Sequence, residues 1–227
     1  MAETQMQPRL ISLELPEAQA ILELFPDVWL AAEQLGSPDV KLRHEALDKL
    51  LKMNAARISP LVAYLLTTRI LDPNLEIRAR IVEAVANVMR RDADGQYAVD
   101  TVRSHIIAGL SYFGTVGIMA LLELALNDEA LLPHINKLLN FSPKAGNHLK
   151  NLAADRDQEI EIRRHAIFFI GKIGYVNAVN ELIRIRNRIE TKQEGQKRMS
   201  FAPPISEDRE LELLEEIKKT LAVLGAD

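Results

Sequence analysis

A pattern that occurs three times in the chain does most to limit how it can fold. In residues 72–89 a turn of Asp-Pro-Asn precedes apolar residues spaced three and four apart, and this spacing places them on one face of an α-helix. Residues 37–53 and 157–174 have the same order of turn, apolar stripe and arginine. Arg43 and Arg78 lie 35 positions apart, which fits one helix–turn–helix unit. The recurrence therefore predicts stacked pairs of helices.

The region between the second and third copies is too long for a single unit and is less regular. Asp128 takes the place of the turn residue there, and His134 takes the place of the arginine, so we predict a degenerate unit. The uncharged run 106–122 is shorter than the roughly 20 apolar residues of a membrane span. It contains three glycines and therefore predicts two helices that meet at a turn. Turn signals in this region separate four predicted helices, at 99–112, 116–126, 129–140 and 143–153.

The remaining segments complete a single continuous domain. Residues 1–36 are predicted to form a lead-in with short helices, one over 16–25 and one over 28–35. Residues 190–205 are polar and contain two consecutive prolines, which predicts a mobile loop. Residues 206–227 carry leucines and an isoleucine on one helical face, which suits a helix that caps the end of a stack. The predicted repeats between these segments are 37–71, 72–112, the degenerate unit 113–154, and 155–189.

Composition excludes several classes of site. The chain has 28 basic and 32 acidic residues and a formal net charge of −4, whereas a dedicated nucleic-acid-binding domain is usually basic. It has no cysteine, which excludes disulfides and cysteine-ligated zinc and suits a reducing cytosol. The first residues lack a basic region followed by an apolar run, so no secretory signal is expected. We therefore predict a cytoplasmic protein without a membrane span.

The three copies share a turn with aspartate or proline, an apolar-x-apolar-Arg sequence and an apolar stripe. The matching residues are Pro38, Asp39, Val40, Leu42, Arg43, Ala46, Leu47 and Leu50; Asp72, Pro73, Leu75, Ile77, Arg78, Val82 and Val85; and Asp157, Ile160, Ile162, Arg163, Ala166, Ile167 and Ile170. This pattern resembles the HEAT repeat, and it is most similar to short bacterial and bilin-lyase-type HEAT-like units. The resemblance implies an all-α fold, namely a right-handed α-α superhelix (a HEAT-like or armadillo-like solenoid) with a C-terminal capping helix. Such a stack has an extended concave surface that is usually used to bind a partner.

The resemblance also implies a structural role for the repeat arginines. In such repeats the arginine typically pairs with the turn aspartate of its own or a neighbouring unit, and a partly buried charge needs such a partner. These residues are therefore predicted to form a structural ladder of ion pairs rather than a ligand site. The predicted pairs are Arg43 with Asp39 or Asp72, Arg78 with Asp72, and Arg163 with Asp157.

One dipeptide, His44-Glu45, suggests metal chemistry. It resembles the His-Glu pairs of deoxyhypusine hydroxylase, a HEAT-repeat di-iron enzyme, and imidazole and carboxylate are apt iron ligands. The equivalent positions in the other two copies are Ala79-Arg80 and His165-Ala166, and one pair cannot build two metal sites. We therefore predict no metal and no cofactor. A bilin-lyase-like enzyme remains an alternative that only framework residues support.

The stretch 184–198 is the most basic part of the chain, and it offers a second alternative. Arg184 and Arg188 are four positions apart and share a helical face, and HEAT-like DNA glycosylases show that this fold can contact nucleic acid. The neighbouring Glu190 and Glu194 favour a solvated surface instead. Nucleic acid is therefore not the predicted partner.

The leading prediction is a non-enzymatic scaffold that binds a protein partner through the face formed by the second helices of the units. The sequence does not identify the partner, and it leaves self-association open. Candidate contact residues on that face and on the loop 190–205 are Tyr64, Thr68, Arg184, Arg188 and Phe201.

Overall fold

The computed structural model describes residues 26–198 and 209–226, and within these ranges the chain forms helices and no strand. The predicted all-α class is therefore confirmed. Short 3-10 segments lie at Arg69–Leu71, Glu129–Leu131, Val176–Ala178 and Arg209–Leu211. The α-helices are α1 (Pro26–Gln34), α2 (Val40–Lys52), α3 (Ala55–Ile58), α4 (Pro60–Thr68), α5 (Leu75–Val88), α6 (Asp100–Ser111), α7 (Thr115–Asn127), α8 (Leu132–Phe141), α9 (Ala145–Ala154), α10 (Ile160–Lys172), α11 (Val179–Arg198) and α12 (Glu212–Val223).

Side-chain caps explain where two of the repeat helices begin. The Asp39 carboxylate accepts a hydrogen bond from the Lys41 backbone N–H at 2.9 Å, and the Asn74 side-chain oxygen accepts one from the Ile77 N–H at 3.0 Å. Each cap satisfies a backbone donor that has no partner inside its helix. Helices α2 and α5 therefore begin at the turns that the repeat pattern predicted.

The helices form two successions, and in each succession every helix contacts the next one. Helix α2 packs on α5, α5 on α7, α7 on α10, and α10 on α12. A second succession runs from α4 through α6, α8 and α9 to α11. The buried apolar residues of both successions join in one cluster that extends from Val28 to Leu221. Within the part of the chain that the structure describes, no helix pair has a separate core.

Two glycines allow unusually close approach between helices. A Cβ atom at Gly109 of α6 would lie 2.8 Å from Cγ2 of Thr67 on α4, a distance at which one group must move. At Gly146 of α9 a Cβ would lie 2.3 Å from the ring of Tyr175, which precedes α11. The absence of a side chain at these positions lets the second succession pack closely.

The uncharged run 106–122 forms parts of two helices, as predicted. Helices α6 and α7 meet at a bend of 102°, and Ile106, Leu110 and Ile118 are fully buried. Among the described residues no single helix is long and apolar enough to cross a membrane. The bent pair meets the length and composition criteria only when its two helices are counted together.

The prediction of a loop over 190–205 is wrong for residues 190–198, because these nine residues belong to α11. Long charged side chains such as Glu190, Lys192 and Glu194 are good helix formers, and the one glycine costs only about 1 kcal/mol. Glu190 also pairs with Lys218 of α12 at 3.3 Å, which ties this part of α11 to the last helix. Residues 199–205, like the lead-in 1–25, lie outside the described residues.

A substitution of Ile77 tests where the core lies, because this side chain is fully buried in α5. We expect Ile77→Ala to lower the free energy of unfolding by about 2–5 kcal/mol, as for other buried truncations, measured by urea denaturation. Leu75→Ala is the control: Leu75 lies in the same helix but is 44% exposed, so the change should be about 1 kcal/mol or less. Equal losses in the two variants would contradict a core position for Ile77.

Candidate functional site

The residues predicted to bind a partner do not form one cluster. Tyr64 and Thr68 lie on α4, whereas Arg184 and Arg188 lie on α11, and these helices are the two ends of the second succession. Phe201 lies outside the described residues. The Arg184 side chain pairs with Glu181 at 2.9 Å, and that of Arg188 pairs with Glu210 at 2.9 Å. The basic stretch is therefore partly neutralised by neighbouring carboxylates.

The first predicted ion pair is present and buried. Arg43 of α2 lies 2.9 Å from the Asp72 carboxylate through Nε, and its Nη2 donates to the same carboxylate at 3.1 Å. The Arg43 Nη1 donates to the backbone carbonyls of Ser37 and Pro38. Of the two candidates for Arg43, Asp72 is therefore the partner, and the pair joins the first repeat to the second.

The predicted pairing of Arg78 with the Asp72 carboxylate is wrong. That carboxylate already binds Arg43 and the Asn74 backbone N–H. The Arg78 Nε instead donates to the Asp72 backbone carbonyl at 3.0 Å, and its Nη1 binds the Glu123 carboxylate at 2.9 Å. Since Glu123 belongs to α7, this arginine joins α5 to the next helix of the first succession.

The predicted pairing of Arg163 with Asp157 is also wrong. Asp157 is exposed, whereas the Arg163 side chain is only 2% exposed. Arg163 Nε donates to the Ala153 carbonyl at 3.2 Å, and Nη1 binds the Glu210 carboxylate at 3.0 Å. The ladder therefore exists, but two of its carboxylates come from the following helical unit rather than from the turn.

The prediction that His134 takes the place of the repeat arginine in the degenerate unit is wrong. His134 lies on α8, where it is half-buried, and its Nδ1 has no hydrogen-bond partner. The fourth residue of α7, which corresponds to the arginine position of α2, α5 and α10, is the fully buried Ile118. Glu123 of this unit therefore pairs with Arg78 of α5. Among the described residues, the unit has no arginine at the repeat position that could pair with the following unit.

The Glu210 carboxylate, which lies just before α12, is close to three arginines. Its carboxylate binds Arg163 and Arg188, and it lies 3.8 Å from Arg156. Partial burial acts to raise the pKa of Glu210, but the hydrogen bond from Arg163 and the positive charges of the three arginines outweigh it, so the pKa is lowered. The carboxylate therefore stays ionised and holds the segment before α12 against α10 and α11.

Within the described residues, the His44-Glu45 pair lies beside an arginine and solvent and not in a cluster of possible metal ligands. His44 Nδ1 lies 3.4 Å from Nη1 of Arg80, and its Nε2 lies 3.8 Å from Glu76. The Glu45 side chain is exposed. The described residues contain no group of three or more histidine, cysteine, aspartate or glutamate side chains that could hold a metal ion.

A cavity of about 500 Å³ lies between α2, α3 and α5. Its charged lining includes Arg57, which binds Asp92 at 2.9 Å, and Arg80, which binds Asp48. Since both guanidinium groups are held by carboxylates, neither is available to an anionic ligand. The other polar side chains of the lining are Asn54, Glu83 and Asn87.

Two adjoining cavities along α7 form a more suggestive surface. One of about 300 Å³ lies between α5 and α7, and one of about 380 Å³ lies between α7 and α10. They share Met119 and Glu123, so they form one cleft, which we call the α7 cleft. Its lining residues are Leu71, Arg78, Thr115, Val116, Met119, Ala120, Glu123, Leu126, Asn127, Gln158, Glu159 and Ile162.

The α7 cleft exposes several apolar side chains. Val116 is 73% exposed, and Leu71 and Leu126 are also exposed. The sequence of α7 contains only one charged residue in thirteen. A helix that is apolar on all sides is normally covered on all sides, so this composition could have indicated an interaction surface. Contiguous exposed apolar surface is typical of protein interaction sites.

Comparison of the chain with protein-family models, with curated proteins and with solved structures finds no match. The HEAT-like resemblance therefore stays a prediction that rests on the three copies in the sequence. Function has to be inferred from the surface of the molecule, and the α7 cleft is the feature that invites an interpretation.

Two ion pairs link α2 to the second repeat, one to Asp72 in the turn before α5 and one to Arg80 of α5, and they allow a matched test of the ladder. Asp72→Ala leaves Arg43 as an unpaired buried charge, so we expect a loss of about 3–5 kcal/mol in the free energy of unfolding. Asp48→Ala removes the partner of Arg80, but the Asp48 side chain is 63% exposed, so the loss should be about 1 kcal/mol or less. Similar losses in urea denaturation would mean that burial does not distinguish the two pairs.

The lowered pKa of Glu210 predicts how its contribution depends on pH. A carboxylate with a lower pKa in the folded state stabilises the fold above its unfolded pKa of about 4.3, and this contribution is lost as the pH falls through the folded pKa. We expect Glu210→Gln to cost about 1–3 kcal/mol at pH 7, because buried Arg163 loses its carboxylate. The difference from the wild-type protein should shrink in acid, measured by denaturation at several pH values.

The control Glu45→Gln, at an exposed carboxylate, should behave as the wild-type protein. A pH-independent loss of stability for Glu210→Gln would contradict the assignment.

Proposed function

We propose that the chain is a HEAT-like solenoid that acts as a non-enzymatic scaffold and binds a protein partner in the α7 cleft. The observation that carries this proposal is the exposed apolar face of α7, which lies between two cavities in the middle of the first succession of helices. A cytoplasmic location, suggested by the absence of cysteine, is part of the same proposal.

Support for a solenoid comes from the order of helix contacts. Each helix of the first succession packs on the next one in that succession, and the buried arginines bind carboxylates from the following unit. Repeat proteins are stabilised by such nearest-neighbour interfaces. Helix α12 closes the series with Leu213, Ile217 and Leu221 buried, and its other side carries charged residues, as expected of a capping helix.

The chemistry of the α7 cleft favours an amphipathic helix as the bound element. Val116, Met119 and Leu126 supply an apolar strip along the cleft, and apolar helices commonly bind in grooves of this kind. Glu159 on the rim is exposed and forms no ion pair with the described residues. The Glu123 charge is already balanced by Arg78. A partner helix with an apolar stripe and a basic residue beside it would therefore match both features.

The alternatives have less support from the arrangement of residues. A nucleic-acid function through 184–198 would use Arg184 and Arg188, which are engaged by Glu181 and Glu210. A metal-dependent enzyme would use His44 and Glu45, which face Arg80 and solvent respectively. The predicted contacts on the second-helix face, Tyr64 among them, stay a prediction.

A pair of valines provides the test of the α7 cleft. Val116 is 73% exposed in the cleft, and Val223 is 71% exposed on α12, outside it. Because both are surface residues, Val116→Asp and Val223→Asp should leave the free energy of unfolding within about 0.5 kcal/mol of the wild type. Proteins that the wild-type chain retains from a native lysate should be lost by Val116→Asp and retained by Val223→Asp, and the retained protein should bind the purified chain in titration calorimetry. A partner that binds Val116→Asp and wild-type chains equally would exclude the α7 cleft as its site.

A further inference from the structure

The segment 89–99, which joins α5 to α6, carries an exposed tyrosine that two arginines contact. The guanidinium carbon of Arg91 lies 4.9 Å from the centre of the Tyr97 ring, and that of Arg103, on α6, lies 4.7 Å from it. Both distances are within the roughly 6 Å range of a cation–π interaction. The Tyr97 ring therefore brings two positive charges close together at the surface.

Hydrogen bonds from Arg57 of α3 and within the segment itself fix its conformation. The Asp92 carboxylate accepts hydrogen bonds from two backbone N–H groups of the segment, and the Asp92 N–H donates to the Gln96 carbonyl at 2.8 Å. Arg57 binds the same carboxylate at 2.9 Å and also donates to the Gln96 carbonyl. Arg91 and Tyr97 flank this turn, so their relative position is set by the fold.

Positive charge predominates around the Tyr97 hydroxyl. A hydrogen bond from Arg91 and the Arg91 charge lower the pKa of Tyr97; desolvation acts in the opposite direction, and the charges of Lys137 and Arg103 lower the pKa further. Arg91 and Lys137 form no ion pair with the described residues. Arg103 pairs with Asp100 at 3.3 Å, but the Asp100 side chain is 95% exposed, and such a surface pair contributes little.

The phosphoryl group of a phosphate monoester matches this arrangement of donors. It carries about 1.5 to 2 negative charges at neutral pH and three strong acceptor oxygens. A guanidinium group can bind two of these oxygens at once, and a tyrosine O–H can donate to another. The formal net charge of −4 on the chain opposes binding of a long polyanion such as nucleic acid, so a single phosphoryl group is the better match.

We propose that Arg91, Arg103 and Tyr97 form a binding site for the phosphoryl group of a phosphate monoester, and that the charge of Lys137 adds to the attraction. Because the segment is already fixed by Arg57, little order has to be gained when the ligand binds. The site shares no residue with the α7 cleft. It is therefore a second binding activity, separate from the proposed scaffold contact.

The test titrates the isotope-labelled full-length protein with inorganic phosphate and with phenyl phosphate at constant ionic strength. The readouts are the nuclear magnetic resonance shifts of the Tyr97 backbone amide and the Arg103 Nε–H. Arg91→Gln removes one cation of the site. The matched control Arg164→Gln removes an exposed arginine of α10 that forms no ion pair with the described residues. Val116→Asp separates this proposal from that of the α7 cleft.

The proposal expects saturable shifts, and it expects Arg91→Gln to weaken binding about tenfold or more, because a charge-assisted contact is lost. Arg91→Lys, which retains the charge but not the planar fork, should fall between Arg91→Gln and the wild type. Arg164→Gln and Val116→Asp should bind as the wild-type protein does. If Arg91→Gln changes the circular dichroism spectrum, Arg103→Gln replaces it.

The two probes also distinguish the sources of the phosphoryl group. Tighter binding of phenyl phosphate than of inorganic phosphate would identify an organic ester as the ligand, and any other order would identify the free ion. Shifts that grow linearly with phosphate concentration without saturating would overturn the proposal. Equal weakening in Arg91→Gln and Arg164→Gln would overturn it as well, because the effect would then be one of overall charge.

Discussion

A guanidinium group cannot stay in a protein interior without partners that balance its charge, and this constraint organises the first succession of helices. Arg43, Arg78 and Arg163 each occupy the fourth position of a helix and are nearly or fully buried. Their carboxylate partners lie 29, 45 and 47 positions later in the chain. Apolar packing alone would tolerate some sliding between helices, whereas a buried pair is satisfied only at one register. The arginines therefore fix how each unit sits on the next.

The α7 cleft lies where this arrangement changes. Helix α7 has Ile118 in place of the arginine, and among the described residues no guanidinium from α7 reaches α10. The larger of the two cleft cavities, of about 380 Å³, is found at that interface. On the other side of α7, Arg78 crosses to Glu123 and leaves the apolar residues Val116 and Met119 beside the pair. The unit that departs most from the repeat pattern thus also carries Val116, which is 73% exposed, and this is why we propose the partner site there.

The sequence predicts local features of this molecule well, because they depend on residues a few positions apart. The helix starts at Asp39 and Asn74, the burial of Ile77 and the turn inside 106–122 all follow from spacing and capping. The partners of Arg78 and Arg163 could not be predicted in this way, because they depend on which distant helix packs alongside. The exposure of Val116 depends on the same packing. The end of α11 was missed for another reason: polar composition indicates solvent contact, and a long charged helix satisfies it as well as a loop does.

The direction of the arginine pairs makes the two ends of the molecule unequal. If units are removed from the N-terminal side, the remaining ones lose an arginine and retain the carboxylate that paired with it, which is Asp72, Glu123 or Glu210. If units are removed from the C-terminal side, a buried guanidinium such as Arg163 is left without its anion. The same order applies on the ribosome, where Arg43, Arg78 and Arg163 each emerge before the carboxylate that pairs with them. A nascent chain of this protein therefore carries an uncompensated cation at its growing edge until the following unit has been synthesised.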